Sequence, residues 1–395
     1  MNKSVKVSVI IPMYKCESCV DKMLDSLCNQ QLHEIEVICV VDGDFDNTFS
    51  KADRFAQKDP RVLALIQEHG GAGKARNTGL AHASGKYVIC IDADDEFSDS
   101  FIIEMYNAAE ENDADIVMCD FYLQNTCQNI VSVRHANGFD ANRIPVNTVT
   151  DPANIEGLYQ AVRGVSWNKL IRRQIIVENG LRFSESASYN DLFLTYTAVH
   201  CSKRLLAIDK ALYTYTVGFN DHSITSEKKL HPEKYIDAFI SAYSDLYDWL
   251  ESHDKANHYR ETYCLKWKTE FHKLEQCGIN MEIAEKTAYV YAMKKPWREM
   301  DNGELIEKSG LQTFGLKKDI LLSKRRTGGT EGEAQEKIIK LRNSIGTRIM
   351  IRKILREKYH KKISEQDPFL IEGIKKVIQY GIPGCVKKII NSIQI

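Results

Sequence analysis

The sequence predicts an α/β fold: a doubly wound, mostly parallel sheet followed by a helical C-terminal region. Three observations carry this. Apolar runs of five to seven residues alternate with helical patterns over the first 120 residues, as β-α-β units require. The runs are apolar on both faces, as in a covered parallel sheet. The residues with chemistry cluster just after the runs, where open α/β sheets bind ligands.

In chain order, Val5 to Ile11 is a β-rich run closed by Pro12-Met13-Tyr14. Val20, Leu24 and Leu27 share one helical face, and Glu36 to Val41 is the second strand, leaving through the acidic turn Asp42-Gly43-Asp44. A short helix over Ser50 to Gln57 and a strand Arg61 to Ile66 follow. The glycines of His69-Gly70-Gly71-Ala72-Gly73 precede a helix from Lys74 to His82, which Ser84-Gly85 ends. Lys86 to Ile91 forms a central strand that gives way to Asp92, Asp94 and Asp95; a helix over 99–112 and a strand Ala114 to Cys119 complete the alternation. Residues 120–165 are weakly patterned and read as an acceptor-side insertion. A helix from Leu192 to His200, a strand from Ala211 to Val217 and an aromatic-rich helical stretch from Lys229 to Met293 come later.

Clustered carboxylates repel one another unless a cation or hydrogen-bond donors compensate. A hard divalent ion bridging carboxylates and phosphate suits Asp92, Asp94 and Asp95; the alternative is an acidic turn in which Asp95 or Ser98 caps the next helix. The glycine-rich loop matches neither the dinucleotide fingerprint nor the P-loop. It reads either as a phosphate cradle with Lys74 and Arg76 adding charge, or as a flexible loop with solvated cations.

Composition sets outer bounds. The chain has 395 residues, 43% of them hydrophobic, enough for two to three domains and a sizeable core. The eleven cysteines are odd in number and several sit inside apolar runs, which points to reduced thiols and a cytoplasmic setting. Cys16-x-x-Cys19 has the spacing of a metal or redox pair, but no second pair completes a zinc site, and the two read as ordinary thiols. No stretch reaches the roughly 20 apolar residues of a membrane span, and the apolar start is too short for a signal peptide. Net charge is −1 but uneven: residues 336–395 carry 14 Lys/Arg and 5 Asp/Glu, leaving 39 against 49 for residues 1–335. From Lys337 to Lys362 the basic residues border an apolar stripe (Leu341, Ile345, Ile349; Ile351, Leu355, Tyr359), a pattern that predicts an amphipathic helix for an anionic membrane surface; the alternative is a helix docked on the acidic N-terminal domain. No nucleic-acid motif accompanies it.

Seven segments in one order carry a resemblance: V-S-V-I-I-P-M-Y (Val7 to Tyr14), V-V-D-G-D-F-D-N-T (Val40 to Thr48), G-K-A-R-N-T-G-L (Gly73 to Leu80), A-S-G-K-Y-V-I-C-I-D-A-D-D (Ala83 to Asp95), D-I-V-M-C-D (Asp115 to Asp120), W-N-K-L (Trp167 to Leu170) and N-D-L-F (Asn190 to Phe193). Together they resemble the inverting family 2 glycosyltransferases of GT-A fold, over roughly residues 5–225. The resemblance implies a UDP-sugar donor, Mn²⁺ or Mg²⁺, and a glycan or lipid-linked acceptor in surface polysaccharide or teichoic-acid assembly, at the inner face of the plasma membrane. It implies that Pro12, Tyr14 and Asp42 line the uridine site, that Arg76 approaches the base or phosphates, Asp92 the ribose and Asp94 the metal, and that Asp191 is the catalytic base. His222 corresponds to a loop histidine that supplies an extra metal or phosphate contact in some relatives.

Two positions depart from the family pattern. The uracil-facing acid Asp42 is kept while Val41 replaces its acidic neighbour, and the acid before the base is Asn190. From the residues alone, Asp191 also fits an N-cap, and Trp167 fits a buried helix anchor or a platform for an acceptor sugar. The expected organisation is a catalytic domain over 1–225, a helical domain over 226–323, a linker over 324–335 and the basic tail over 336–395. A sugar nucleotidylyltransferase wants a Gly-rich, Arg-bearing loop after the first strand, where this chain has Pro12-Met13-Tyr14. A catalytically silent sugar- or nucleotide-binding scaffold is the alternative that Asn190 keeps open.

Overall fold

The computed structural model describes residues 4–125, 132–217 and 232–275. The chain divides into two units, residues 1–287 with 291–299 and residues 288–290 with 300–395; every described residue belongs to the first. His222, the linker and the basic tail lie outside the described residues.

The strands are β1 (Val7–Met13), β2 (Ile35–Asp42), β3 (Val62–Gln67), β4 (Tyr87–Cys90), β5 (Glu96–Phe97), β6 (Ile116–Asn125), β7 (Ser132–Ala136), β8 (Val149–Thr150), β9 (Lys169–Arg172) and β10 (Leu205–Val217). The helices are α1 (Val20–Cys28), α2 (Thr48–Lys58), α3 (Ala72–His82), α4 (Phe101–Glu111), α5 (Leu158–Ala161), α6 (Arg173–Glu178), α7 (Asn190–Cys201), α8 (Pro232–Ser252) and α9 (Ala256–Glu275). They form an α/β fold on one sheet of order β3-β2-β1-β4-β9-β6-β10-β5, with β7 beside β6 and β8 beside β10. The β3-β2-β1-β4 half is parallel throughout, and β6 and β10 are parallel to each other. Only β9 runs against both its neighbours in the middle, and β5, β7 and β8 are antiparallel additions at the rim. This is the mostly parallel, doubly wound arrangement the sequence predicts.

The core explains the apolar runs. Val7, Val9 and Ile11 of β1, Val37 and Cys39 of β2 and Ile89 of β4 pack with Val20, Leu24 and Leu27 of α1 and with Phe101 and Met105 of α4. Pro12 stays inside β1 rather than ending it. Its partner is Val40 of β2, whereas pairing with β4 stops at Ile10, so the N–H that proline lacks would face past the end of β4.

Two other expectations change. Trp167 is buried, but just before β9 rather than on a helix; its ring stacks on Tyr213 and Tyr215 (4.7 and 5.5 Å between centroids) and meets Phe121 edge-on. That packing occupies the face a sugar would need. The strand predicted from Ala211 begins at Leu205, paired with β6 through an irregularity between Ile208 and Tyr213 that breaks the alternation read from sequence. The aromatic helices α8 and α9 pack on α7 and α5 through rings: Tyr189 on Phe239, His200 on Trp249 and Tyr259, Tyr159 on Tyr263.

Candidate functional site

The carboxyl ends of β1, β2 and β4 and the first turn of α7 bring the singled-out residues together, and Arg76 of α3 is the joint. Its guanidinium is buried; Nη2 donates to Asp92 Oδ1 at 2.5 Å and Nη1 to Asn190 Oδ1 at 2.5 Å. Burial by itself would lower the Arg76 pKa, but Asp92 and Asp191 more than offset it and hold the group charged. Arg76 is therefore not a solvated cation.

Gly73 makes the approach possible. A Cβ there would lie 1.9 Å from the Ser184 carbonyl oxygen and 3.1 Å from Asn190 Cβ, so only glycine lets α3 meet this segment. Asn77 fixes the register, donating from Nδ2 to Phe183 O (3.0 Å) and accepting from Phe183 N (2.8 Å). The G-K-A-R-N string is thus a docking surface for the start of α7.

The three acids after β4 separate into distinct roles. Asp95 is buried and accepts from Tyr213 Oη (2.6 Å) and Thr216 N (2.8 Å), so its carboxylate ties the turn to β10. It is not the helix cap considered from sequence; α4 starts at Phe101 after Ser100, with no side-chain cap from Asp95 or Ser98. Asp94 is half-buried and has no cationic side chain paired with it among the described residues. Burial, and then repulsion from Asp92, push its pKa up to about 6. A carboxylate held at that cost beside Asp92 suits a divalent ion, which takes one or two protein carboxylates together with diphosphate oxygens and needs no cage of three protein ligands. Among the described residues no such three-ligand cluster exists. Asp92 and Asp94 therefore fit Mn²⁺ or Mg²⁺ only as a site completed by substrate.

Asp42 has a different setting. Its carboxylate is 2% exposed and accepts from Gln67 Nε2 (2.8 Å), Gly70 N (2.9 Å) and Gly71 N (2.7 Å), with His69 Nδ1 at 2.8 Å from Oδ2. The glycine loop spends these N–H groups on Asp42 rather than presenting them to phosphate, and Gly71 takes a left-handed φ of +89° to do so. The loop's anchoring sets His69 against Tyr14, ring on ring at 4.7 Å and 27°, with Phe45 edge-on to both. All three rings are exposed, next to the charged site. Sequence reasoning named Tyr14 but missed Phe45 and His69. The signal available was their position, since each follows a strand's carboxyl end as Tyr14 does.

Asp191 lies in the first turn of α7 and caps nothing: Tyr189 is the capping position, in a left-handed conformation, and no side-chain cap bond forms. Burial raises the Asp191 pKa, Arg76 and Lys169 draw it back, and Asp92 adds to the rise. Lys169 was also missed. It is fully buried, donates to Val165 O and Asn168 Oδ1 (both 2.8 Å), and burial lowers its pKa to about 7 against the pull of Asp191. A cation between apolar neighbours in W-N-K-L-I was the available sign.

Residues 8–176 match the model described as glycosyl transferase family 2. Over these residues the chain is similar to glycosyltransferase family 2. Among its relatives, the uncharacterized glycosyltransferase EpsJ of Bacillus subtilis is 33% identical over 224 residues, 55% of this chain and 62% of that protein. The glycosyltransferase GlyA of Streptococcus pneumoniae is 28% identical over 246 residues, covering 61% of this chain and 34% of that protein. The chain thus spans less than two thirds of either relative. Among solved structures, S. aureus TarS 1–349 in complex with UDP-GlcNAc matches at a TM-score of 0.48 and 18% identity, over 82% of this chain and 93% of that one. Within the family 2 frame, Asn190 does what a carboxylate would do toward Arg76: its amide oxygen accepts the guanidinium N–H. The departure from the family pattern removes a charge but keeps the bond.

Proposed function

We propose that this chain is an inverting, metal-dependent glycosyltransferase that moves a sugar from a UDP-sugar to a hydroxyl of a glycan or lipid-linked acceptor. The observation that carries the reading is the Arg76 bridge, which joins an acid at the end of β4 to the turn holding Asp191. Base and leaving-group sites thereby share one rigid joint, as a single displacement requires.

In this reading the uracil ring lies against the Tyr14, Phe45 and His69 rings, at the end of β1 beside Pro12. Asp42 organises the loop carrying His69, Asp92 faces the ribose, and Asp92 and Asp94 would hold Mn²⁺ or Mg²⁺. The chemistry gained on binding that ion is stabilisation of charge on the departing diphosphate. Asp191 takes the acceptor's proton. Desolvation around it favours the protonated product of that step, while Arg76 and Lys169 oppose the rise in its pKa. Poly(ribitol-phosphate) beta-N-acetylglucosaminyltransferase TarS of Staphylococcus aureus, 24% identical over 225 residues, supports a polymeric hydroxyl-bearing acceptor. No helix of the described residues is long and apolar enough to cross a membrane. Recruitment to a lipid-linked acceptor at the inner membrane face is assigned to the basic stretch 337–362, and co-sedimentation of the full chain with anionic vesicles at low salt tests it.

The deciding experiment is release of UDP from a panel of UDP-sugars with Mn²⁺ present. Turnover that requires an acceptor supports the transferase. UDP binding without turnover on any donor points to a silent scaffold, and pyrophosphate exchange with UTP points to a nucleotidylyltransferase.

A further inference from the structure

Cys16 and Cys19 sit in the turn from β1 into α1, both half-buried, and the transfer chemistry uses neither. Cys19 N donates to Cys16 O at 2.9 Å and Val20 N to the same oxygen at 3.1 Å. The two residues therefore face each other across a single turn, a span of less than about 7 Å between α-carbons, which a disulfide can close. Cys19 Sγ donates to Cys16 O at 3.3 Å, and the nearness of the two thiols lowers the Cys19 pKa and raises that of Cys16. Cys19 is also the N-cap residue of α1, where the helix dipole favours a thiolate against burial and the nearby Asp94 and Asp46. The other described thiols differ: burial pushes Cys28 up to about 11 and both Cys90 and Cys119 up to about 12, and raises Cys39 and the half-buried Cys201 as well.

The pair is wired to the aromatic face. Tyr14 N donates to Cys16 Sγ at 3.3 Å, and the same sulfur lies 3.3 Å from Tyr14 O. Between them Lys15 holds a left-handed φ of +50°, and Cys16 N donates to Thr48 Oγ1 at 2.9 Å. The sulfur of Cys16 is thus one of the ties fixing Tyr14 under its ring partner His69.

We propose that Cys16 and Cys19 form a reversible disulfide site, and that closing it draws Cys16 Sγ away from Tyr14 and weakens donor binding. The second half rests on the donor-site reading above. The oxidant is a peroxide. The Cys19 thiolate attacks its O–O bond; a sulfur–oxygen bond forms, the O–O bond breaks, and the departing oxygen takes a proton. Cys16 sulfur then attacks the Cys19 sulfenic acid: the sulfur–sulfur bond forms, the sulfur–oxygen bond breaks, and water leaves with the Cys16 proton. The two sulfurs together lose two electrons and the peroxide gains two. A dithiol reductant reverses the change, as suits a transient pair in a reducing compartment.

The test uses the full chain. Trypsin releases residues 16–22, which hold both cysteines and no other, so an internal disulfide shows as the loss of two hydrogens from one peptide. Calorimetry with UDP before peroxide, after it and after dithiothreitol gives the functional readout. The expected result is that residues 16–22 oxidise before the buried thiols, that UDP binding weakens about three- to tenfold, the size of one lost ring-stacking contact, and that dithiothreitol restores it. Cys19→Ser, or Cys19→Ala, is expected to bind UDP like the reduced chain and to ignore peroxide. The proposal is overturned if the peptide keeps two free thiols while Cys39 or Cys90 has reacted, if the disulfide forms with UDP affinity unchanged, or if Cys19→Ser loses affinity equally. A reduced chain that binds no UDP at all sinks the donor-site reading and the coupling with it, whereas peptide mapping still decides the disulfide.

Discussion

At the first turn of α7, Asp191 is half-buried beside Arg76 and Lys169, while at its last turn His200 is buried among Tyr159, Trp249 and Tyr259. Burial opposes charge at both ends, yet the outcomes differ because the neighbours differ. Near Asp191 two cations draw the pKa back, so the charged form remains accessible. Around His200 burial comes first and the cationic Lys255 and His258 add to it, and the pKa falls to about 3. His200 Nε2 lies 2.8 Å from Tyr159 Oη, and Nδ1 is buried without a hydrogen-bond partner among the described residues. Desolvation with counter-charges prepares proton transfer; desolvation without them makes an aromatic, neutral joint between α7 and the helices that follow.

The sharpest way to break this contrast is at the charged end. Asp94→Ala is expected to lower UDP-sugar turnover about a thousandfold, since several kcal/mol of leaving-group stabilisation is lost at 1.36 kcal/mol per tenfold. Initial rates with Mn²⁺, alongside an unchanged melting curve, check it; near wild-type rates would remove Asp94 from the site.

Asp191→Asn is nearly isosteric and is expected to cost about 10²-fold or more in transfer rate, the usual range for a general base, with UDP affinity retained. Single-turnover transfer measured beside UDP calorimetry separates the two. An equal loss of UDP binding would place Asp191 among the donor contacts instead.

At the aromatic end the prediction concerns pH. The folded His200 pKa lies below the unfolded value of 6.5, so its contribution is complete above pH 6.5 and is lost as pH falls from there toward 3, when the unfolded chain takes up a proton the folded chain refuses. The loss is about 1.4 kcal/mol per pH unit, or about 2 kcal/mol between pH 6.5 and 5. Urea denaturation across that window should show a steeper fall for the natural chain than for His200→Phe. Parallel slopes would mean that His200 titrates normally.

The smallest effect is expected at the exposed rings. Phe45→Ala should weaken UDP binding by about 0.5–1.5 kcal/mol, three- to tenfold, without changing the melting temperature. Titration of the variant with UDP and with a nucleoside-free diphosphate distinguishes base stacking from charge: only UDP should lose affinity.

Much of the fold was legible because covered parallel strands have a composition of their own, and the ligand edge follows from chain direction. Hence Tyr14, Asp42 and the acids after β4 stood out as local strings. Other features had no local sign. The three acids at 92, 94 and 95 are equivalent in sequence, and it is Tyr213 and Thr216, on β10, that take Asp95 into structure and leave Asp94 without a cationic partner among the described residues. Phe45 and His69 lie in two separate turns and become one surface only when β2 and β3 pair.

The sequence by itself determined the alternation of strands and helices and the chemical types gathered at the strand ends, because both are written in short-range periodicity and composition. Only the tertiary structure decided that Arg76 bonds Asp92 and Asn190, the latter 114 residues away, and that Lys169 shares a field with Asp191. The reason is that burial and pairing set the charge state of each group, and both are properties of the packed chain around a residue, not of its neighbours in sequence.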